Sequence, residues 1–297
     1  MKSHHYVGRF APSPTGPLHI GSLLTAVASY VDAKSHNGKW LLRMEDIDPP
    51  REMSGAADSI LQTLEHYGLR WDGDVLFQSR QHSRYEAAVQ QLLASGKAFY
   101  CTCSRSQILA ASGSSSYPGT CRQRHQPPDQ PFAIRLQVQD REIHFEDGLQ
   151  RYQRCNLQQQ GGDFVIKRKE GLYAYHLAVV LDDALQGVTH VVRGSDLLDA
   201  TFCHWYLQDV LELPHPQYAH LPVIVNAEGQ KLSKQTFAEP VPLADPGPYL
   251  LYCLQALGQS PPDSLRGASA AAILEWSCEH WQMQRVPHQR CIPQQTA

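Results

Sequence analysis

Two stretches of this 297-residue chain carry side chains suited to phosphate chemistry. In "GPLHIGSLLTAVASY", residues 16–30, a Pro/Gly-rich run gives way to His19-Ile20-Gly21-Ser22 and then to an apolar helical pattern. A strand that ends in such a loop before a helix leaves backbone N–H groups unpaired at the positive end of the helix dipole, where phosphate is favoured. Gly16 and Gly21 would let a ligand approach the backbone, and His19 can donate to phosphoryl oxygens as their charge redistributes. Taken alone, His-x-Gly also describes a capped helix with an incidental histidine. The second stretch, "KLSKQ", places Lys231, Ser233 and Lys234 in a Gly-containing loop after an apolar strand. It is either a solvated turn or a source of mobile ammonium groups for a triphosphate held at the helix start.

A third cluster suits a metal. Cys101, Cys103 and Cys121 offer three thiolates joined by a Ser/Gly-rich loop, and zinc is the natural ion for them in a closed, structural site. The other five cysteines, Cys155, Cys203, Cys253, Cys278 and Cys291, stand singly and read as reduced thiols.

The elements that must position these groups follow an α/β rhythm. "HHYVGRF" reads as a strand that stops before Pro12 and Pro14. Leu23, Leu24, Val27 and Val31 recur at helical spacing, Asn37-Gly38 supplies a stop, and "KWLLRM" is the next strand. Amphipathic stretches follow at 60–67 and 85–93, then a loop-rich segment, then "FAIRLQV", "REIHFED" and "DFVIKR" as strands of a small β-rich module. The α/β rhythm returns with "LYAYHLAVVLDDALQG", the buried strand "THVVRG", a helix over 195–213 and the strand "YAHLPVIV". From Pro240 the chain looks helical with Pro-rich joints, and the polar tail "HQRCIPQQTA" is expected to be loose. The expected organisation is a first catalytic half over 1–98, an insert over 99–170, a second half over 171–239 and a short helical region over 240–297.

Hydrophobic content of 42% with 19% charge belongs to a globular chain, and no apolar run reaches the ~18 residues of a membrane span. With no signal-peptide pattern at its start, the chain is expected in the cytoplasm and as a monomer. A net charge of −3 announces no nucleic acid, so any such contact must be local. Residues 121–170 hold nine Lys/Arg against seven Asp/Glu, an excess that a solvated surface explains equally well.

Taken together, "RFAPSPTGPLHIGS" and "KLSKQ" resemble the two signatures of class I aminoacyl-tRNA synthetases in their glutamyl form. "LLRMEDID", "YHLAVVLDDALQGVTHVVRGSDLL" and "HLPVIV" are similar to the same branch, so the resemblance spans most of residues 6–236. It implies a Rossmann-like α/β core that joins the carboxylate of L-glutamate to the α-phosphate of ATP and releases pyrophosphate. By resemblance, Arg9 with Ala11 and Ser13 grips glutamate, Glu45 pairs with its ammonium, and Tyr175 and Arg193 complete the pocket. His19, Gly21, Ser22, Lys231, Ser233 and Lys234 hold ATP, His19 and Lys234 also act in catalysis, and Mg²⁺ accompanies the nucleotide. Ser22 stands where the family usually has a second histidine; a hydroxyl can still donate one hydrogen bond and favours a helix start.

For the metal, Tyr117 resembles a zinc ligand of a short relative of the glutamyl enzymes, and His125 is the rival fourth ligand. Only 63 residues follow Lys234, so no separate anticodon-binding domain is expected. That shortness and the Cys-x-Cys and Tyr-x-x-x-Cys spacings resemble the branch that transfers glutamate to queuosine at the first anticodon position of tRNA(Asp). The anticodon stem-loop would then be the macromolecular partner. Charging of the 3′ end of tRNA(Glu), or RNA or nucleotide binding without catalysis, are the alternatives.

Overall fold

The computed structural model describes residues 5–232 and 239–294. β1 (Val7–Phe10), α1 (Ile20–Ser35) and β2 (Lys39–Met44) form the expected β-α-β unit, with β1 and β2 parallel and Val7 opposite Lys39. Leu23, Leu24, Val27 and Val31 are buried along α1, as their spacing predicts. The two residues at the α1–β2 corner do different work. Asn37 takes the left-handed conformation, with φ 53°, that ends the helix. Gly38 is needed for close approach, because a Cβ there would stand 2.6 Å from the Tyr6 carbonyl oxygen and 2.9 Å from that of Ala33.

α2 (Ala56–His66), β3 (Leu76–Phe77) and α3 (His82–Ala94) follow, and β3 pairs in parallel with β2. The next stretch contains β4 (Ala98–Cys101), α4 (Arg105–Ser112), β5 (Ala133–Leu136), β6 (Glu142–Asp147), β7 (Arg151–Asn156), α5 (Leu157–Gln160) and β8 (Val165–Lys167). After it come α6 (Tyr175–Leu185), β9 (His190–Gly194), α7 (Leu198–Leu211), β10 (Gln217–Leu221) and β11 (Val223–Val225). Pro222 separates the last two, which the sequence reading had joined.

The β-rich module divides between two sheets. β4, β5 and β8 form an antiparallel sheet, whereas the β6–β7 hairpin leaves it and extends the sheet ordered β7-β6-β10-β9. Alternation along β6 explains this: Ile143, Phe145 and Asp147 point inward, and the Phe145 ring meets those of Phe202, Trp205 and Tyr218. α4 lies where a loop was expected. Its eight residues are held by a capping box, in which the Ser104 hydroxyl accepts from the Gln107 N–H and the Gln107 side chain accepts from the Ser104 N–H.

β9 runs beside β1, where the Thr189 N–H donates to the Val7 carbonyl at 2.9 Å and the Val7 N–H donates to the Thr189 hydroxyl at 2.9 Å. The strands therefore read β3-β2-β1 outward on one side and β9-β10-β6-β7 on the other, which sets a switch point between β1 and β9. α8 (Pro246–Ala256) and α9 (Ala270–His280) share one core with α1: Leu250, Leu254 and Ile273 pack with Leu23 and Val27, and Trp281 Nε1 donates to Asp32 at 2.9 Å. The tail expected to be loose is tied down over its described residues, while 295–297 lie outside them. β12 (Cys291–Pro293) pairs in parallel with β11, and the Arg290 carbonyl accepts from Ser195 Oγ at 2.6 Å and from the Val223 N–H at 3.0 Å. The open edge of β11 supplied donors and acceptors that composition alone does not reveal.

Replacing Gly38 by Ala is expected to lower the free energy of unfolding by about 1–3 kcal/mol, because the added methyl meets backbone rather than a yielding side chain. Urea unfolding of both proteins measures it, and equal midpoints would contradict this account of the corner.

Candidate active site

The C-terminal ends of β1, β2 and β9 and the N-terminus of α1 open onto one cavity of about 460 Å³. This is where an open α/β sheet receives ligands. Arg9, Ala11, Ser13, Glu45, Tyr175 and Arg193 all line it, as do His19, Gly21, Ser22 and Lys231. Ser233 and Lys234 lie outside the described residues.

At the helix start, His19 is the N-cap of α1. Its Nδ1 accepts from the Ser22 N–H at 3.3 Å, so the neutral ring carries its proton on Nε2. The Ser22 hydroxyl accepts from the His19 N–H at 2.8 Å and lies 2.7 Å from the His19 carbonyl oxygen, completing a capping box. Ser22 thus earns its place by fixing the loop, a role the sequence could not disclose. Gly21 lies against the imidazole; a Cβ there would come within 3.2 Å of the ring. No acidic residue stands in the first turn of α1, which keeps its positive end uncompensated locally. Lys231 Nζ donates to Asp196 Oδ2 at 2.5 Å, and Asp196 also lines the cavity.

The arginines of the site divide by how their charge is balanced. Asp183 on α6 accepts from Arg43 Nη1 at 2.6 Å and from Arg9 Nε at 3.2 Å. Burial alone would push its carboxyl up, but the two guanidinium groups outweigh that and hold it below the usual carboxylate range. Arg43, fully buried, also donates to Glu45 Oε1 at 3.4 Å and Gln186 Oε1 at 2.9 Å. Burial raises the Glu45 carboxyl against the pull of Arg43.

Arg193 differs. Its Nε donates to His220 Nε2 at 3.1 Å, and its Nη2 donates to Thr201 Oγ1 at 2.8 Å, His204 Nδ1 at 3.3 Å and the Leu197 carbonyl at 3.3 Å. Its Nη1 donates to the Tyr175 hydroxyl at 3.4 Å. These acceptors are neutral, and no carboxylate among the described residues pairs with it. Its charge is therefore available to an anion in the cavity.

Sequence reasoning passed over Arg43, Asp183, Asp147, His204 and His220. The signals present were paired acids in "LDDAL" on a buried helix face and single polar residues inside apolar strands, patterns that suggest strain or function but name no partner.

Between the end of β4 and the start of β5, the sulfurs of Cys101, Cys103 and Cys121 lie within 4.8 Å of one another, and those of Cys103 and Cys121 are 3.6 Å apart. The Tyr117 hydroxyl is 3.5 Å from the Cys101 sulfur and accepts from the Cys121 N–H at 2.9 Å. His125 is exposed and stands outside this group. Arg135 lies over the Tyr117 ring at 4.1 Å, and its Nε donates to the Cys101 sulfur at 3.3 Å. Three soft donors and a phenol around one point, beside a cation that offsets their charge, fit a closed zinc site.

His176, His204 and His220 surround Arg193 and Tyr175, and burial lowers all three, His176 to about 4. Each folded-state value lies below the ordinary 6.5, so on acidification the unfolded chain takes up protons first. The stability gained by keeping these rings neutral is complete above about pH 6.5 and declines as pH falls toward 4. Denaturant unfolding across that window should show stability falling with acid, and His176→Phe should reduce the slope. A profile unchanged by that substitution would count against it.

The comparisons with known proteins agree with this geometry. A family profile described as tRNA synthetases class I (E and Q), catalytic domain, matches residues 6–242. The chain is 52% identical over 287 residues to a glutamyl-Q tRNA(Asp) synthetase of Ectopseudomonas mendocina (strain ymp), covering 97% of each chain. It is 51% identical over 291 residues to the protein of that name from Pseudomonas aeruginosa PAO1, covering 98% of each. Among solved structures, glutamate-tRNA synthetase from Elizabethkingia anophelis superposes with a TM-score of 0.81 at 25% identity, over 98% of this chain and 68% of that one. The solved neighbour shares the fold, and the chain belongs to the class I tRNA synthetases of the glutamyl and glutaminyl (E and Q) family.

Proposed function

We propose that the chain activates L-glutamate with ATP, without needing tRNA, and transfers the glutamyl group to queuosine at the first anticodon position of tRNA(Asp). The observation that carries the chemistry is Arg193, a buried cation held entirely by neutral acceptors at a cavity that also contains Glu45. The choice of RNA rests on the relatives that match along 97–98% of both chains and bear the name glutamyl-Q tRNA(Asp) synthetase.

In this reading Arg193 and Tyr175 receive a carboxylate of glutamate, Glu45 faces its ammonium, and Arg9 with Ala11 and Ser13 closes the pocket. His19 Nε2–H, Gly21 and the N–H groups at the start of α1 receive ATP phosphates, and Ser22 holds that loop in shape. Lys231 lines the same cavity, and the family resemblance assigns Ser233 and Lys234 to the nucleotide with it. Bound Mg²⁺ would neutralise part of the phosphate charge. A glutamate carboxylate oxygen bonds to the α-phosphorus as the bond to the β-phosphate bridging oxygen breaks, releasing pyrophosphate. A queuosine hydroxyl then attacks the glutamyl carbonyl, loses its proton, and AMP departs. The protein acts in the cytoplasm as a monomer, with residues 99–170 between the two catalytic halves, their β6–β7 hairpin joined to the sheet of β10 and β9, and residues 240–297 as a short helical region. Cys101, Cys103, Cys121 and Tyr117 hold one structural zinc ion.

Glutamate-dependent ATP–pyrophosphate exchange without tRNA is expected, followed by labelling of tRNA(Asp) only when it carries queuosine. Labelling of tRNA(Asp) regardless of queuosine, or of tRNA(Glu) alone, would overturn the choice of RNA. Zinc analysis should find one ion per chain, released faster to a chelator from Tyr117→Phe than from the native protein. Undiminished retention would remove Tyr117 from the ligand set.

A further inference from the structure

Arg193 has a second layer behind it that comes from a distant part of the chain. Asp147, at the end of β6, accepts from His220 Nδ1 at 2.5 Å through Oδ2. Its Oδ1 accepts from the backbone N–H groups of Leu149 at 3.0 Å, Gln150 at 2.8 Å and His220 at 3.1 Å. Both side chains are fully buried. With the ring proton committed to Asp147 on Nδ1, His220 Nε2 carries a lone pair, and that lone pair accepts from Arg193 Nε at 3.1 Å and faces the Thr201 hydroxyl at 3.0 Å. The opposite tautomer would set an N–H against the Arg193 Nε–H.

We infer that Asp147 and His220 form a positioning pair for glutamate recognition: Asp147 selects the His220 tautomer that seats Arg193, leaving the Nη1 end of the guanidinium beside Tyr175 for a carboxylate. The inference rests on glutamate as the ligand of Arg193. Its physical basis is geometric. With Nε and Nη2 committed to protein acceptors, only the Nη1 end can meet a carboxylate, its direction is set by the plane of the guanidinium, and Arg193 has no carboxylate among the described residues to hold that plane. His220, with Thr201 and the Leu197 carbonyl, supplies that restraint without cancelling the charge. The β6–β7 hairpin thereby contributes to a pocket whose lining it does not enter, since the Gln150 amide also donates to the His220 carbonyl at 2.9 Å.

Asp147→Asn is the discriminating variant. Its remaining oxygen can keep the backbone contacts, while its amide would donate to Nδ1 and invert the His220 tautomer. Measured by pyrophosphate exchange, KM for glutamate should rise ~10-fold or more while KM for ATP stays within ~2-fold. His220→Asn, which can still pair with Asp147 but withdraws the acceptor from Arg193, should behave likewise. His220→Gln, which can place an amide oxygen near the former Nε2, should lose less. The order of these two decides the matter if Asp147→Asn does not fold. An unchanged KM for glutamate in Asp147→Asn or His220→Asn, or a parallel rise in KM for ATP, would overturn the positioning role. Absence of glutamate-dependent exchange in the native protein would instead remove the glutamate reading.

Discussion

The carboxylate of Asp183 is the constraint on which the rest of the site depends. It sits on α6 and grips Arg43 from β2 and Arg9 from β1, so one buried anion fixes the relation of a helix to the two strands that frame the cavity. Removing one partner of such a group leaves an uncompensated charge in the interior, typically at a cost of about 3–5 kcal/mol. The three residues are separated by up to 174 positions in the chain, so this contact exists only once the α/β core has closed. It also determines what kind of arginine each one is. Arg9 and Arg43 are balanced within the protein, and Arg193 is not.

That division leaves the cavity one cation that no carboxylate among the described residues balances. A site for an amino acid with two carboxylates and one ammonium must offer opposite charges within a few ångströms without letting them pair with each other. Here Arg43 reaches Glu45 at a long 3.4 Å while committing its shorter bond to Asp183, and Arg193 is surrounded by neutral imidazoles and hydroxyls. Neutral histidines suit this purpose because burial keeps them unprotonated beside a cation, where an added charge would be strongly opposed.

Much of this was legible in the sequence, for reasons that can be stated residue by residue. Pro12 and Pro14 announce the end of β1, the Leu23–Val31 spacing announces α1, and Arg9 and Glu45 stand at strand ends where ligands bind. The close spacing of Cys101 and Cys103 foretold a cluster that the fold completes with Cys121. What stayed hidden depended on partners far away in the chain. Asp147 looked like the last letter of a strand in a small module, and nothing local tells β6 to leave that module for the side of β10. Ser22 looked like a departure from a motif until its hydroxyl was seen to complete the cap of α1. The tail was misread because polar composition does not record an open strand edge waiting elsewhere.

That edge has a consequence for how the protein is made. β11 forms one wall of the cavity through Val223 and Ile224 and leads directly to Lys231, yet its hydrogen-bonding partner, β12, is translated only after both helices that cover α1. During synthesis the sheet can assemble and the core can close while this wall still presents unpaired backbone groups to its surroundings. The edge of this wall is therefore paired only after α8 and α9 have been made, and the chain passes through an interval in which its core can be closed while one side of β11 still lacks its partner strand.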